Sequence, residues 1–150
     1  MSDKIAEVFE NDNSGDAAIF HGYTYSAHPV GAAAVIACLS ETERLDTKFN
    51  AQLRGTQLYN GVMELAKKHT IVGDVRGGHG LMLGIELVSD QNKKTPLDMS
   101  DMKKIHQKTY EFGAMVRLGL NNILMSPPLT ISENEVNQIL GALDEGLTAI

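Results

Sequence analysis

Two histidines, two tyrosines, a threonine and a serine crowd the stretch His21-Gly22-Tyr23-Thr24-Tyr25-Ser26-Ala27-His28-Pro29. It has little apolar area to bury, and what it offers instead is donors. Placed ahead of a helix that begins near Val30, it can hold an anion, because the first N–H groups of a helix lack intrahelical acceptors and the macrodipole adds positive potential there. The same residues also read as a plain loop leading into a helix, with a Ser or Thr cap and proline in the first turn. Composition leaves both open.

Arg117 is the second residue with chemical potential. It interrupts the apolar segment Gly113-Ala114-Met115-Val116-Arg117-Leu118 and falls on the face opposite Ala114, Val116 and Leu118 if the segment is a strand. It is then either an outward, solvated residue on an edge strand or an anchor for a carboxylate, for which the planar two-pronged guanidinium is suited. Gly77-Gly78-His79-Gly80 lacks the spacing and trailing Lys-Ser/Thr of a phosphate loop and reads as a tight turn between strands. Arg76 beside it can bind an anion, stay solvated, or pair with a carboxylate such as Glu86. His21, His28, His69, His79 and His106 show no metal-ligand spacing. Ser26 lacks a nucleophile elbow. Cys38, inside the apolar run 32–39, reads as a buried structural thiol.

The chain as a whole bounds what these residues can serve. At 150 residues it suits one ordinary domain. A net charge of −6, with dispersed lysines and arginines, argues against a nucleic-acid partner. One cysteine allows no disulfide framework. No signal peptide is evident, and the apolar run 30–39 falls short of the roughly 20 residues that cross a bilayer. The expectation is a soluble, cytoplasmic protein with no membrane association.

Periodicity supplies the elements that must position the candidates. Ile5, Val8 and Phe9 predict a short helix over 2–10, followed by the turn-rich Asn11-Asp12-Asn13-Ser14-Gly15-Asp16 and a brief extended piece over 17–20. Pro29 starts a helix to about Leu39, whose small apolar flank predicts burial. A helix over 43–68 carries a stripe of Leu45, Phe49, Leu53, Tyr59 and Met63, joined by Leu58, Val62 and Leu65. Gly55 and Gly61 each cost it about 1 kcal/mol relative to alanine, so tertiary packing must hold it. Strands follow over 70–76 and 81–88, the second with strict alternation, then a polar loop over 89–97. A helix from Asp98 or Ser100 buries Met102, Ile105, Thr109 and Phe112 and ends at Gly113 in a left-handed cap. Strands over 114–118 and 123–126 form a hairpin, and Pro127-Pro128 ends the pairing. Ser132 and Glu135 stand at capping-box spacing before a last helix. The order β-β-α-β-β-α after the long helix predicts an α+β fold, a mostly antiparallel sheet with helices on one face. Residues 70–150 can form a core alone, whereas 1–39 needs a partner surface.

Three segments, in this order, resemble the C-terminal part of the class III pyridoxal-phosphate-dependent aminotransferases, fold type I enzymes, and especially their ω-aminotransferase branch. They are His21-Gly22-Tyr23-Thr24-Tyr25-Ser26-Ala27-His28-Pro29, then Gly73-Asp74-Val75-Arg76-Gly77-Gly78-His79-Gly80-Leu81-Met82-Leu83-Gly84-Ile85-Glu86-Leu87, then Val116-Arg117 followed by Leu124-Met125-Ser126-Pro127-Pro128-Leu129. The resemblance implies that Thr24 contacts the phosphate of pyridoxal 5'-phosphate held by the neighbouring subunit of a homodimer, with Tyr23 beside it. It implies that Arg117 clamps the substrate carboxylate, and that the partners are a small-molecule amino donor and a keto acid or aldehyde acceptor. Ala27 stands where the family more usually has glycine. The family's cofactor-binding lysine lies upstream of the matched region, so the resemblance gives this chain no catalytic residue. It also divides the chain: 1–42 as a remnant of a large α/β domain with its connecting helix, and 43–150 as a small C-terminal domain. The alternative is a non-catalytic domain that dimerises or binds a partner.

Overall fold

The computed structural model describes residues 2–18 and 22–150. Within these residues the elements run α1 (Asp3–Glu10), α2 (Pro29–Arg44), α3 (Thr47–Lys68), β1 (Val72–Gly77), β2 (Leu83–Asp90), β3 (Thr95–Pro96), α4 (Met99–Glu111), β4 (Arg117–Leu118), β5 (Asn122–Met125) and α5 (Glu133–Leu147). They fall into two compact units, Met1–Leu39 and Ser40–Ile150, with α2 divided between them.

In the first unit neither α1 nor α2 has a buried residue. The stripe Ile5, Val8 and Phe9 is exposed, as are Val30, Val35, Ile36 and Leu39 of α2, and Cys38 is exposed too. The expectation of a buried α2 and a buried thiol is therefore corrected: within the described residues α2 and Cys38 are exposed. Between the helices the Asp12 carboxylate organises the turn. It accepts from the Ser14 N–H and hydroxyl and from the Ala17 N–H, which lowers its pKa to about 2. Ala17 ends this turn, while Ile19, Phe20 and His21 of the anticipated extended piece and donor-rich stretch lie outside the described residues.

The second unit is an α+β layer structure. β1, β2, β5 and β4 are hydrogen-bonded in that order, every pairing antiparallel. Leu87 donates to the Asn121 carbonyl and accepts from the Leu97 N–H, so β3 continues along the edge of β2 that β5 occupies. The alternation in β2 does what period 2 requires: Leu83, Ile85 and Leu87 are buried and Gly84 and Glu86 are only partly covered. The buried side chains meet Leu58 and Val62 of α3, Ile105 of α4 and Val136 and Leu143 of α5 in one core, so the helices gather on one face. Val88 breaks the alternation by being buried; it covers Gly73, where an added Cβ would collide with it.

Four local expectations need correction. Phe112, expected on the buried face of α4, is exposed. The first long helix continues five residues past Leu39, and the break falls at Asp46, which is left-handed at φ 45°, a conformation aspartate tolerates. Of the stripe only Leu58 and Val62 are buried: Leu45, Phe49, Leu53 and Met63 are exposed and Tyr59 and Leu65 half-buried, because the core lies against Leu58 and Val62. The polar segment 89–97 contains β3 in a hairpin with β2, turned by the Asp90 carboxylate accepting from the Asn92 and Lys93 N–H groups. The ends of α4 and the start of α5, by contrast, fall where the sequence places them. Asp98 accepts from the Ser100 N–H, Ser132 and Glu135 form a capping box, and Gly113 is left-handed at φ 96°.

Candidate functional site

The face of the sheet away from the helices carries the candidate site. Register fixes one row across it: Arg76 lies opposite Gly84, Gly84 opposite Leu124, and Leu124 opposite Arg117. Side chains at paired positions project from the same face, so two arginines bound a floor of Gly84 and Leu124. The next row is Asp74, Glu86 and Asn122. All of these residues except Asp74 line a groove of about 590 Å³. An alanine Cβ at Gly84 would meet only Leu124 Cδ2, at 3.6 Å, so the floor is open rather than tight.

Arg117 sits on the edge strand β4 and is exposed. Ala114 and Val116 are buried beside exposed Met115, so the alternation read from the sequence places Arg117 outward, as expected. Among the described residues it has no hydrogen bond or ion pair, and an exposed guanidinium over an apolar floor can receive a carboxylate with two parallel N–H bonds. Its partner strand β5 runs on into the turn at 126–131. There the Asn50 side chain donates to the Leu129 and Ile131 carbonyls at 2.8 and 3.0 Å and ties Pro127-Pro128 to α3.

Arg76 is closed. Its Nε donates to Asp74 Oδ2 at 2.7 Å and its Nη2 to Glu86 Oε2 at 2.8 Å. These bonds hold the Asp74 carboxylate below its usual range and raise Arg76. Sequence reasoning foresaw the Glu86 pairing but missed Asp74 and Asn122. The available signal was the alternation itself, which puts Asp74 and Arg76 on one face of β1. Asn122 Oδ1 is buried with no donor among the described residues.

Thr24 and Tyr23 are exposed in the first unit, so the two halves of the anticipated site sit on separate units. The Ser26 N–H donates to the Tyr23 carbonyl at 2.9 Å and closes a turn around Thr24 and Tyr25. Ala27 follows at φ 58°, the left-handed region where glycine is unstrained and alanine costs about 1–2 kcal/mol. The helix cap differs from the expected Ser or Thr: His28 Nδ1 accepts from the Gly31 N–H at 3.5 Å, and the His28 carbonyl accepts from Ala32. With Pro29 lacking an N–H and Gly31 already bonded, the helix start offers an anion little beyond the Val30 N–H. The donors on this loop are those of the turn, the exposed Thr24 hydroxyl first among them.

The remaining candidates serve the fold. His69 Nε2 lies 2.7 Å from Asp144 Oδ1, and Lys68 Nζ bonds the same carboxylate at 2.7 Å. The Gly77-Gly78-His79-Gly80 turn has positive φ at its three glycines and packs against α3, where Gly55 faces the Gly80 carbonyl and Gly78 faces the Tyr59 ring. No group of three or more metal-ligating side chains occurs among the described residues. No described helix is long and apolar enough to cross a membrane. No lysine is buried within these 150 residues.

Comparison with known proteins places this geometry. The family described as Aminotransferase class-III matches residues 1–147. The chain is 33% identical over 139 residues to the adenosylmethionine-8-amino-7-oxononanoate aminotransferase of Staphylococcus aureus, covering 93% of this chain and 30% of that protein. It is 30% identical over 131 residues to the leucine/methionine racemase of Thermococcus litoralis, covering 87% of this chain and 29% of that protein. Among solved structures, a PLP-bound amine transaminase from an uncultivated Pseudomonas species superposes with a TM-score of 0.82 at 36% identity, covering 99% of this chain and 34% of that one. The chain thus spans about a third of the length of these relatives. It belongs to the class III aminotransferase family.

Proposed function

We propose that these residues form the C-terminal part of a transaminase that uses pyridoxal 5'-phosphate to move an amino group between an amine or amino acid and a keto acid or aldehyde. The observation that carries the reading is Arg117, outward and unpaired among the described residues, over the floor of Leu124 and Gly84. It binds the substrate carboxylate by paired N–H bonds and, on its flexible stem, turns aside for an apolar group. The bound cofactor supplies the electron sink of the reaction. Thr24 donates its hydroxyl to a phosphate oxygen, and the turn closed by Ser26 fixes that hydroxyl while Tyr23 lends backbone or ring contact beside it. The fit is to one edge of a phosphate: an exposed hydroxyl on a turn closed by a backbone hydrogen bond.

In this reading residues 1–42 belong with a large α/β domain and its connecting helix, 43–150 are the small domain, and the working unit is a cytoplasmic homodimer in which Thr24 reaches the neighbouring subunit's cofactor. The lysine that binds the cofactor covalently is supplied from outside these 150 residues, since every lysine here is at least partly exposed. The family match gives no support to a non-catalytic dimerisation domain.

The test is complementation. The purified 150-residue chain with pyridoxal phosphate should show neither an absorbance band from covalent binding nor amine-dependent turnover. Mixed with the N-terminal two thirds of a class III aminotransferase it should gain turnover, and Arg117→Gln should then raise KM for a carboxylate substrate about 10-fold or more, the value of a charge-assisted bond of roughly 1.5–3 kcal/mol. Turnover by the chain alone overturns the assignment.

A further inference from the structure

Among the described residues the sheet ends on β1 at one side and on β4 at the other. β4 is two residues long, whereas β1 runs for six, so β1 presents the longer edge, the kind of template to which another extended chain adds. Bonding along β2 alternates: the Leu87 N–H donates to Asn121 on the β5 side, and the Val88 N–H donates to the Ile71 carbonyl on the β1 side. In this alternation Gly84 and Glu86 bond to β1, opposite Arg76 and Asp74. Val75, between those two, therefore turns its N–H and carbonyl away from the sheet.

The outward Val75 N–H and two carbonyls near it are already bonded. The Val75 N–H donates to Asp74 Oδ1 at 2.9 Å, while Arg76 Nε donates to the other oxygen, Oδ2, at 2.7 Å and holds the carboxylate in place. The register shifts between Val72 and Asp74, and bulges of this kind also spoil an edge for pairing. Beside the shift Gln91 Nε2 donates to the Val72 carbonyl at 3.1 Å, and Lys94 Nζ donates to the Gly73 carbonyl at 2.6 Å. Both side chains come from the turn between β2 and β3 and strap it over β1. Lys94 stands there at φ 53°, where glycine would be unstrained. What lysine adds is the reach of its ammonium to β1.

We infer that Asp74, Gln91 and Lys94 close the β1 edge against strand addition, and that the chain they exclude is the β1 edge of a second copy. Two β1 edges can pair antiparallel about a two-fold axis, each satisfying the other. With the edge guarded, an incoming strand must first displace three side-chain bonds before it gains backbone bonds of its own. Arg76 is a positioning residue in this device, since it orients the carboxylate that occupies the Val75 N–H.

The test compares self-association of the 150-residue chain and of D74A/Q91A/K94A by sedimentation velocity over one concentration series. The variant loses one charge of each sign, so the net charge stays at −6 and repulsion between copies is unchanged. It should associate at least about tenfold more tightly than the wild type. Hydrogen exchange at the Val75 amide separates this edge from any other contact. In the wild type its protection should not depend on concentration. In the variant it should be lost in dilute solution and regained as concentration rises. Adding Val75→Pro removes the outward N–H without costing a ladder bond, and should return association to the wild-type value. A folded variant that associates no more tightly than the wild type overturns the inference, as does association that survives Val75→Pro. Should the triple variant not fold, Asp74→Ala alone is read by the same exchange measurement, and Val75 protection that never rises with concentration overturns the guard.

Discussion

At the scale of single residues, Ala27 and Asp144 show how one atom group sets local free energy. Ala27 sits at φ 58°, so its methyl crowds its own backbone. Ala27→Gly relieves about 1–2 kcal/mol of strain and returns part of it as unfolded-state entropy. Hydrogen exchange at the Ser26 amide, bonded to Tyr23, should slow about threefold. Asp144 accepts bonds from Lys68 and His69, which hold its carboxylate below the usual range. The unfolded chain then takes up the proton first on acidification. The stabilisation is complete above the unfolded value of about 4 and is lost as pH falls through the lower folded value. The carboxylate is a third exposed, so solvent screening limits the effect. Asp144→Asn should cost about 1 kcal/mol at about pH 6 and almost nothing near pH 2, measured by urea unfolding at both.

At the scale of elements, α3 holds together despite two glycines because the glycines are where other elements touch it. A Cβ on Gly55 would collide with the Gly80 carbonyl, and one on Gly61 with the Leu140 side chain. Backbone cannot yield as a leucine can. Gly55→Ala should therefore destabilise by about 1–3 kcal/mol despite the roughly 1 kcal/mol that alanine gains in helix propensity. Gly84→Ala, whose Cβ would make an ordinary contact at 3.6 Å with Leu124, should cost less than about 1 kcal/mol. Thermal unfolding of both variants checks the contrast. The same logic decides α5 against α4, since a Cβ at Gly146 would clash with the Thr109 hydroxyl, which is itself bonded to the Ile105 carbonyl at 2.8 Å.

At the scale of the molecule, the buried apolar cluster lies wholly within the second unit, from Leu58 to Leu147, while α1 and α2 bury nothing. Residues 40–150 alone should unfold cooperatively by circular dichroism, with a Tm within a few degrees of the whole chain, about the shift that 1 kcal/mol causes. Residues 1–39 alone should show little helix, being too short in uninterrupted helix to persist without packing. Alternation in 81–88 determined which side chains of β2 enter the core, and the pairing of Ser132 with Glu135 determined a helix start, because these are contacts within one element or one turn. The outward face of Arg117 was legible for the same reason. What periodicity could not carry is whatever depends on a second element. The depth of α3 in the core, the exposure of Cys38 and α2, and the hairpin through β3 each depend on which surfaces meet. The row Arg76, Gly84, Leu124, Arg117 exists only once β5 has come between β2 and β4. Side-chain period is local, whereas register joins residues some forty positions apart in the chain, so only the tertiary structure decided that two arginines share one groove and that one of them is already taken.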